Sequence, residues 1–321
     1  MNRRNLAFLV PYNPRALFGV VDHKPSAKRR FAAAGIPVPA TYATLAMQWD
    51  LRRLDAILAP HRDFVLKPAR GSGGGGVLVV VDRDGDRFVK ASGAVVTLAD
   101  LADHAAEILG GAFSLRQHVD EALIEYRVHA DPVLGAISHR GVPDVRVLVV
   151  RGVPVQAMLR LPTRASDGRA NLHMGGLGVG VDLARGVTTH GVLGRKSVTT
   201  HPDLATSVVG VAVPCWDEIL TIAARCYDAV PLGFLGVDVV LDAQLGPLVL
   251  EVNARPGLTI QLANGRGVRR RMEEVARRDV DGLTPPERVA LGRELASVPS
   301  QKSVAKGGRG SAALARRDDE E

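Results

Sequence analysis

Short apolar, β-branched runs alternate along this chain with stretches of helical period. Residues 64–67 and 77–81 read as strands on either side of a glycine-rich turn. Residues 145–150 and 155–161 read as a hairpin through 151–154, and 234–242 with 248–253 as another strand pair. Helical spacing marks 24–35, where Pro25 suits a first turn, Gly35 a C-terminal cap and Pro37 a stop. It recurs at 97–109, at 214–230 and in a basic stretch at 267–278. Residues 163–180 are polar and glycine-rich and read as a mobile loop. Strand pairs separated by helices point to α+β lobes, not to one doubly wound sheet. No internal repeat is evident. After Pro299 the chain turns Ser/Gly/Lys/Ala-rich and ends Arg-Arg-Asp-Asp-Glu-Glu, the composition of a disordered tail.

Composition narrows this picture slightly. The 321 residues are 46% hydrophobic and 23% charged, which fits one composite domain or two lobes. No apolar run reaches the ~18 residues of a membrane span. The apolar run after Arg3 and Arg4 is too short for a signal peptide, so a cytoplasmic location is expected. The formal charge of +7 is diffuse and lacks interleaved aromatics, which argues against a nucleic-acid partner. Cys215 and Cys226 fall on one predicted helix, about 16 Å apart at its rise per residue. A disulfide needs Cα atoms within ~7 Å, so two buried thiols are expected and no bridge.

The first chemical signal is Lys67-Pro-Ala-Arg-Gly71-Ser-Gly73-Gly74-Gly75-Gly76. The pattern Gly71-x-Gly73-x-x-Gly76 matches a dinucleotide fingerprint, but that fingerprint must open a helix, and a strand-like Val77 run follows. A Walker loop would need Gly-Lys-Ser/Thr, which is absent. What remains is a strand–turn–strand whose backbone N–H groups can approach phosphate oxygens closely. Lys67 at its edge can pair with a phosphate.

The second signal is Asp238-Val-Val-Leu-Asp242 and Glu251-Val-Asn253. If residues 243–246 form the hairpin loop, Asp242 faces Pro247, Val240 faces Val249 and Asp238 faces Glu251. Two opposed carboxylates repel unless a proton or a cation lies between them. Asn253, of the same parity as Glu251, adds a neutral oxygen. The set suits a hard cation such as Mg²⁺, with phosphates and water completing the octahedron. Arg255, just beyond, can clamp a substrate carboxylate.

Arg146 and Arg160 interrupt apolar strands. A two-residue turn at Gly152–Val153 sets Arg160 opposite Val145 and points the two arginines to opposite faces; a bulge would be needed to join them. Arg160 is the better candidate for stabilising transferred charge. His173, alone in its loop, is left out of the catalytic set.

These residues, in this order, resemble the ATP-grasp superfamily. More narrowly, Asp144-Val-Arg146, Arg160-Leu-Pro-Thr, Asn171-Leu-His-Met-Gly-Gly and Asn253-Ala-Arg255-Pro-Gly resemble its alpha-L-glutamate ligase-like branch, over roughly Phe8 to Arg271. The resemblance implies a two-lobed α+β fold with ATP between the lobes. It implies Lys28, Lys67, Gly73, Gly74 and Gly75 at the nucleotide phosphates, and Gln117 to Val119 at the adenine hinge. Asp238, Glu251 and Asn253 would hold Mg²⁺, with Mn²⁺ as a substitute. Arg160, with Arg146 and Asn171, would stabilise the phosphoryl group, and Arg255 would bind substrate. Either Glu121 or Glu125 would hold the ribose.

The implied reaction joins a carboxylate, on a small molecule or peptide, to an amino acid or other amine through an acyl phosphate. Glutamate is one such amino acid. The implied divisions are a shortened N-terminal segment (1–40), the lobes (41–280), a short helical extension (281–298) and the tail (299–321). Two rivals keep parts of this reading: a sugar-transfer-associated protein or phosphotransferase that does not ligate, and a nucleotide-binding scaffold whose basic segment binds a partner.

Overall fold

A computed structural model describes residues 4–71, 73–114 and 118–298. Gln117 and the tail after Val298 lie outside these residues. The chain builds two antiparallel sheets, the α+β, two-lobed arrangement expected from the sequence.

The smaller sheet contains β1 (Thr41–Leu45), β2 (Phe64–Pro68), β3 (Leu78–Asp84), β4 (Arg87–Lys90), β5 (Val95–Thr97) and β6 (Ala122–Glu125), in the order β1-β6-β2-β3-β4-β5. One face is apolar. Phe64, Leu66, Val80, Ala122 and Ile124 meet Leu101, Ala105 and Ile108 of a helix at Leu98–Leu109. That helix starts at a reciprocal cap, Thr97 with Asp100, which satisfies two donors that helix geometry leaves unpaired. The alternate residues Lys67 and Glu125 emerge on the opposite face, toward the second sheet.

The larger sheet contains β7 (Asp144–Val150), β8 (Val153–Leu161), β9 (Leu177–Asp182), β10 (Val187–Leu193), β11 (Lys196–Val198), β12 (Phe234–Asp242) and β13 (Gly246–Asn253), in the order β11-β10-β9-β8-β7-β12-β13. Val145, Val147 and Val149, with Leu235, Val237, Val239 and Leu241, line one face. There they pack on Ile219, Ala223 and Cys226 of a helix at Trp216–Ala229. Its other face carries apolar residues at one end, under short helices at Ile260–Ala263, Arg269–Arg277 and Pro285–Ser297. The middle of that face is charged.

Between the sheets lies the helix α1 (Lys24–Ala33). Pro25 occupies its first turn and Gly35, at φ +64°, follows its end, as the sequence suggests. Ala27 and Phe31 are buried in the core of the larger sheet, while Lys28 reaches toward the smaller one.

Three sequence expectations change. Residues 163–180 are not one loose loop: Thr163 and Ser166 exchange hydrogen bonds, Asn171 caps a turn of 3₁₀-helix at Leu172–Met174, and β9 begins at Leu177. The composition signalled polarity but not these local side-chain-to-backbone bonds. Second, Cys226 is buried but Cys215 is exposed, because it caps its helix in a left-handed conformation rather than lying on its apolar stripe. Both thiols are free. Third, the 234–253 hairpin loop is three residues, not four, as described below.

Asn13 ties the N-terminal segment to the β12–β13 pair. Asn13 is buried, donates to the carbonyls of Phe234 and Ala254 at 2.8 and 2.7 Å, and accepts from the Phe234 amide at 2.8 Å. It fixes the start of β12 to the turn after β13. Asn13→Ala should cost about 2–3 kcal/mol, since it strands buried backbone groups. Urea unfolding of the purified variant measures this, and a loss below ~0.5 kcal/mol would contradict the bracket role.

Candidate active site

The charged row is made by strand register. Near the hairpin loop Asp242 pairs with Gly246, Leu241 with Pro247, Val240 with Leu248 and Val239 with Val249. That is one residue off the expected register. A bulge at Leu250 then absorbs one residue, so Asp238 faces Glu251 as the sequence predicts. The bulge is also visible in the packing: Val249 and Val252, three residues apart, both face the same core.

A second bulge corrects the arginines. The β7–β8 turn is Arg151–Gly152, at φ +45° and +79°, one residue earlier than expected. This is the primed turn that matches the twist of paired strands. The ladder then shifts between Leu148 and Val149, and Arg160 faces Asp144 rather than Val145. Arg146 and Arg160 therefore share one face, contrary to the simple-turn reading.

Four strands now converge. Arg146 on β7 lies opposite Asp238 on β12 and donates to it through Nε at 2.6 Å and Nη2 at 2.5 Å. Arg160 donates to Asp144 from Nε and, at 2.8 Å, from Nη2, and its Nη2 also lies 2.6 Å from Asp238. Burial pushes the Asp144 carboxyl up to about 6, against the pull of Arg160. Burial acts on Asp238 in the same sense, but Arg146 and Arg160 outweigh it and hold that carboxyl at about 2.

Asp238 is 1% exposed, whereas the Glu251 side chain is 38% exposed. The two residues are direct cross-strand partners, and Arg146 lies against both carboxyl groups. The Asn253 amide lies 3.1 Å from Glu251 and 3.5 Å from Asp238. The row thus opens to solvent at its Glu251 end, with two carboxylates and an amide together.

Across the cleft the charge reverses. Lys28 and Lys67 both donate to Glu125, and Lys28 also donates to the Pro39 carbonyl at 3.0 Å. All three side chains are buried. Glu125, one of two ribose candidates, is committed to these lysines, while Glu121 pairs with His23 at 3.2 Å. Sequence reading missed Lys24. Its ammonium donates to the Gly71 carbonyl at 2.6 Å, and burial lowers its pKa despite the field of Glu251. Its spacing of four residues from Lys28 is the signal that placed both on one face of α1.

The glycine turn lies between these halves. Gly73, Gly74 and Gly76 have φ of +66°, +81° and +71°, and a Cβ on Gly76 would lie 2.5 Å from the Phe113 ring. Gly75 completes the turn with φ outside the left-handed region. The Asn171 amide approaches Gly73, and the Arg169 side chain approaches Gly74. The 163–176 segment therefore meets the glycine turn directly. Arg169 had no sequence signal beyond its charge. Val119, the hinge candidate among the described residues, is exposed. Arg255 turns away from the carboxylate row: it pairs with Asp22 at 3.0 Å and lies over the Phe18 ring.

No curated protein matches the sequence. Among solved structures, the ATP-grasp ligase PsnB with a minimal precursor is 18% identical over 77% of this chain, with a TM-score of 0.40. The chain spans 56% of the length of that protein. D-alanine–D-alanine ligase from Bacillus anthracis is 17% identical over 87% of this chain and 68% of its own, at a TM-score of 0.43. D-cycloserine synthetase DcsG is 17% identical over 89% and 73%, at 0.45. The family model for sugar-transfer associated ATP-grasp proteins matches residues 3–277, a span that takes in both lobes and every residue of the cleft just described. The chain belongs to the sugar-transfer associated ATP-grasp family.

Proposed function

We propose that this protein is an ATP- and Mg²⁺-dependent ligase that joins a carboxylate to an amine. The observation that carries the reading is the opposition of charge across the cleft. On one side, Lys24, Lys28 and Lys67 outnumber Glu125, leaving a positive excess suited to phosphates. On the other, Asp144, Asp238 and Glu251 outnumber Arg146 and Arg160, leaving a negative excess suited to a cation. A metal–nucleotide complex satisfies both at once.

Asp238, Glu251 and Asn253 are the residues that would hold a hard divalent ion: two carboxylates and an amide lie together and open to solvent at Glu251, with Arg146 and Arg160 on the Asp238 oxygens. Bound there, Mg²⁺ would neutralise phosphate charge and polarise the transferred phosphoryl group. Mn²⁺ shares this oxygen-ligand preference. The glycine turn supplies backbone N–H groups to the phosphates, and Arg160 and Arg146 hold positive charge where negative charge develops. Asn171 and Arg169, against the glycine turn, help exclude water.

The substrate carboxylate attacks the terminal phosphorus of ATP, the bond to the bridging oxygen breaks, and ADP leaves. An amine then attacks the acyl phosphate, loses a proton, and expels phosphate to leave an amide. An amino acid, glutamate among them, is one such amine. The family's sugar-transfer description supports a second reading, a sugar-transfer-associated protein or phosphotransferase that does not ligate. Product mass separates them: ligation gives the sum of two substrates less water, and phosphotransfer adds one phosphate to a single substrate.

Glu251→Gln keeps the shape and removes one charge from the cation site. ADP formation, followed by a coupled assay with pooled carboxylates and amines, should fall on the order of 10- to 100-fold or more, with unfolding unchanged. Undiminished ADP release would remove Glu251 from the metal set.

The lysine cluster gives a separate test. Two lysines share one carboxylate, so Glu125 is held ionised while Lys28 is under-compensated. Burial lowers the Lys28 ammonium to about 8, with Glu125 opposing, from 10.5 in the unfolded chain. Between about pH 8 and 10.5 the unfolded chain binds more protons here than the folded one, so stability rises with pH across that window. Below it the burial cost is complete. Relative to Lys28→Met, the wild type should gain about 2–3 kcal/mol between pH 7.5 and 10.5 in urea unfolding. Saturating ATP should shrink that gain, because phosphate charge restores the ammonium. A pH-independent difference would contradict the assignment.

A further inference from the structure

The face that carries Arg160 continues past β8. Gly178 on β9 is paired with Arg160, and directly opposed residues share a face, so the space above Gly178 adjoins the guanidinium's strand at ~5 Å. Leu172 fills that space: a Cβ on Gly178 would lie 2.7 Å from its side chain. Beyond Leu172 a groove opens, lined by Leu172, His173, Val192, Arg195, Thr259 and Leu262.

The groove has a distinctive chemistry. Leu172, Val192 and Leu262 give it an apolar lining, and Leu262 is 54% exposed although Ile260 and Ala263 of the same helix are buried. Its polar groups are unspent. Arg195 makes no ion pair or hydrogen bond among the described residues, the His173 ring makes none, and Thr259 precedes its helix without using its hydroxyl as a cap. Every arginine of the charge row, by contrast, is paired.

The walls are fixed. His190 bonds the Ala263 carbonyl at 3.2 Å through Nδ1 and the Ser197 hydroxyl at 2.9 Å through Nε2. That histidine locks the β10–β11 hairpin, which carries Arg195, to the helix that carries Leu262. Asn264 ties the same helix to β8 through the Ala157 carbonyl at 2.8 Å. An apolar slot with fixed walls and one unpaired guanidinium at its rim matches a ligand with an apolar body and an anionic end.

We propose that this groove holds part of the substrate, an apolar body ending in an anionic group whose counter-charge is Arg195, and so sets substrate choice. It rests on the ligase reading only for which reaction is served, since Arg195 is outside the nucleotide and metal sets. A single unpaired arginine discriminates anionic from neutral ends of the same body.

Ligand-observed NMR on the full chain with saturating Mg·ADP tests this, using N-acetyl-L-leucine, its neutral amide N-acetyl-L-leucinamide, and isobutyl phosphate. At least one anionic probe should bind on the order of tenfold more tightly than the amide. Comparing the two anions tells a carboxylate from a phosphate ligand. Arg195→Ala should erase the preference, Arg195→Lys should keep most of it, and Mg·ADP affinity should be the same in all three proteins. Equal binding of anionic and neutral probes, no binding of either anion at tens of millimolar, or an unchanged preference in Arg195→Ala would overturn the proposal. Failure of the nucleotide reading looks different: the wild type would not bind Mg·ADP, whatever the probes do.

Discussion

A buried row of guanidinium and carboxylate groups governs this molecule. Arg160, Asp144, Arg146 and Asp238 sit on adjacent strands inside a sheet whose opposite face is packed with apolar side chains. Such charges are tolerated in an interior only when each is paired and hydrogen-bonded. The pairing demands that residues from three strands share a face, and each hairpin reaches that register through one bulge. The sheet's deepest energetic requirement and the charged row of the cleft are therefore the same feature.

The rest of the cleft is arranged against that row. α1 is packed into the larger sheet's core through Ala27 and Phe31, yet its Lys28 is committed to Glu125 of the smaller sheet and its Lys24 to the Gly71 carbonyl. The helix thus carries positive charge to a fixed position facing the carboxylates. The glycine turn lies between them, held by Phe113 on one side and met by Asn171 and Arg169 on the other. Under the proposed function, phosphates in the cleft would lie between the lysines and the proposed cation set.

Much of this was legible in the sequence. The opposition of Asp238 and Glu251 followed from counting along two strands, and the glycine turn from five glycines in six positions. The α+β lobes followed from the alternation of strand pairs and helices. What was hidden was register. The extra residues at the bulges leave no mark in composition, so plain counting sets Arg146 and Arg160 on opposite faces and makes the loop of the 234–253 hairpin one residue too long. It reached the right Asp238–Glu251 pairing because its assumed loop and the real bulge each displace the ladder by one residue. Glu125 was equally opaque, since its partners lie 58 and 97 residues away.

The bulge at Leu250 also separates two jobs that a plain hairpin would couple. Between it and the hairpin tip, pairing is set by the tip: Asp242 accepts from the Gln244 and Leu245 amides at 2.9 and 3.0 Å. Beyond it, pairing is set by the charge row. The unpaired residue acts as an expansion joint, taking up any mismatch between the two registers. The exposed tip around Leu245 is accordingly a place where length can vary across evolution, or a reporter can be grafted, while the carboxylates stay in step.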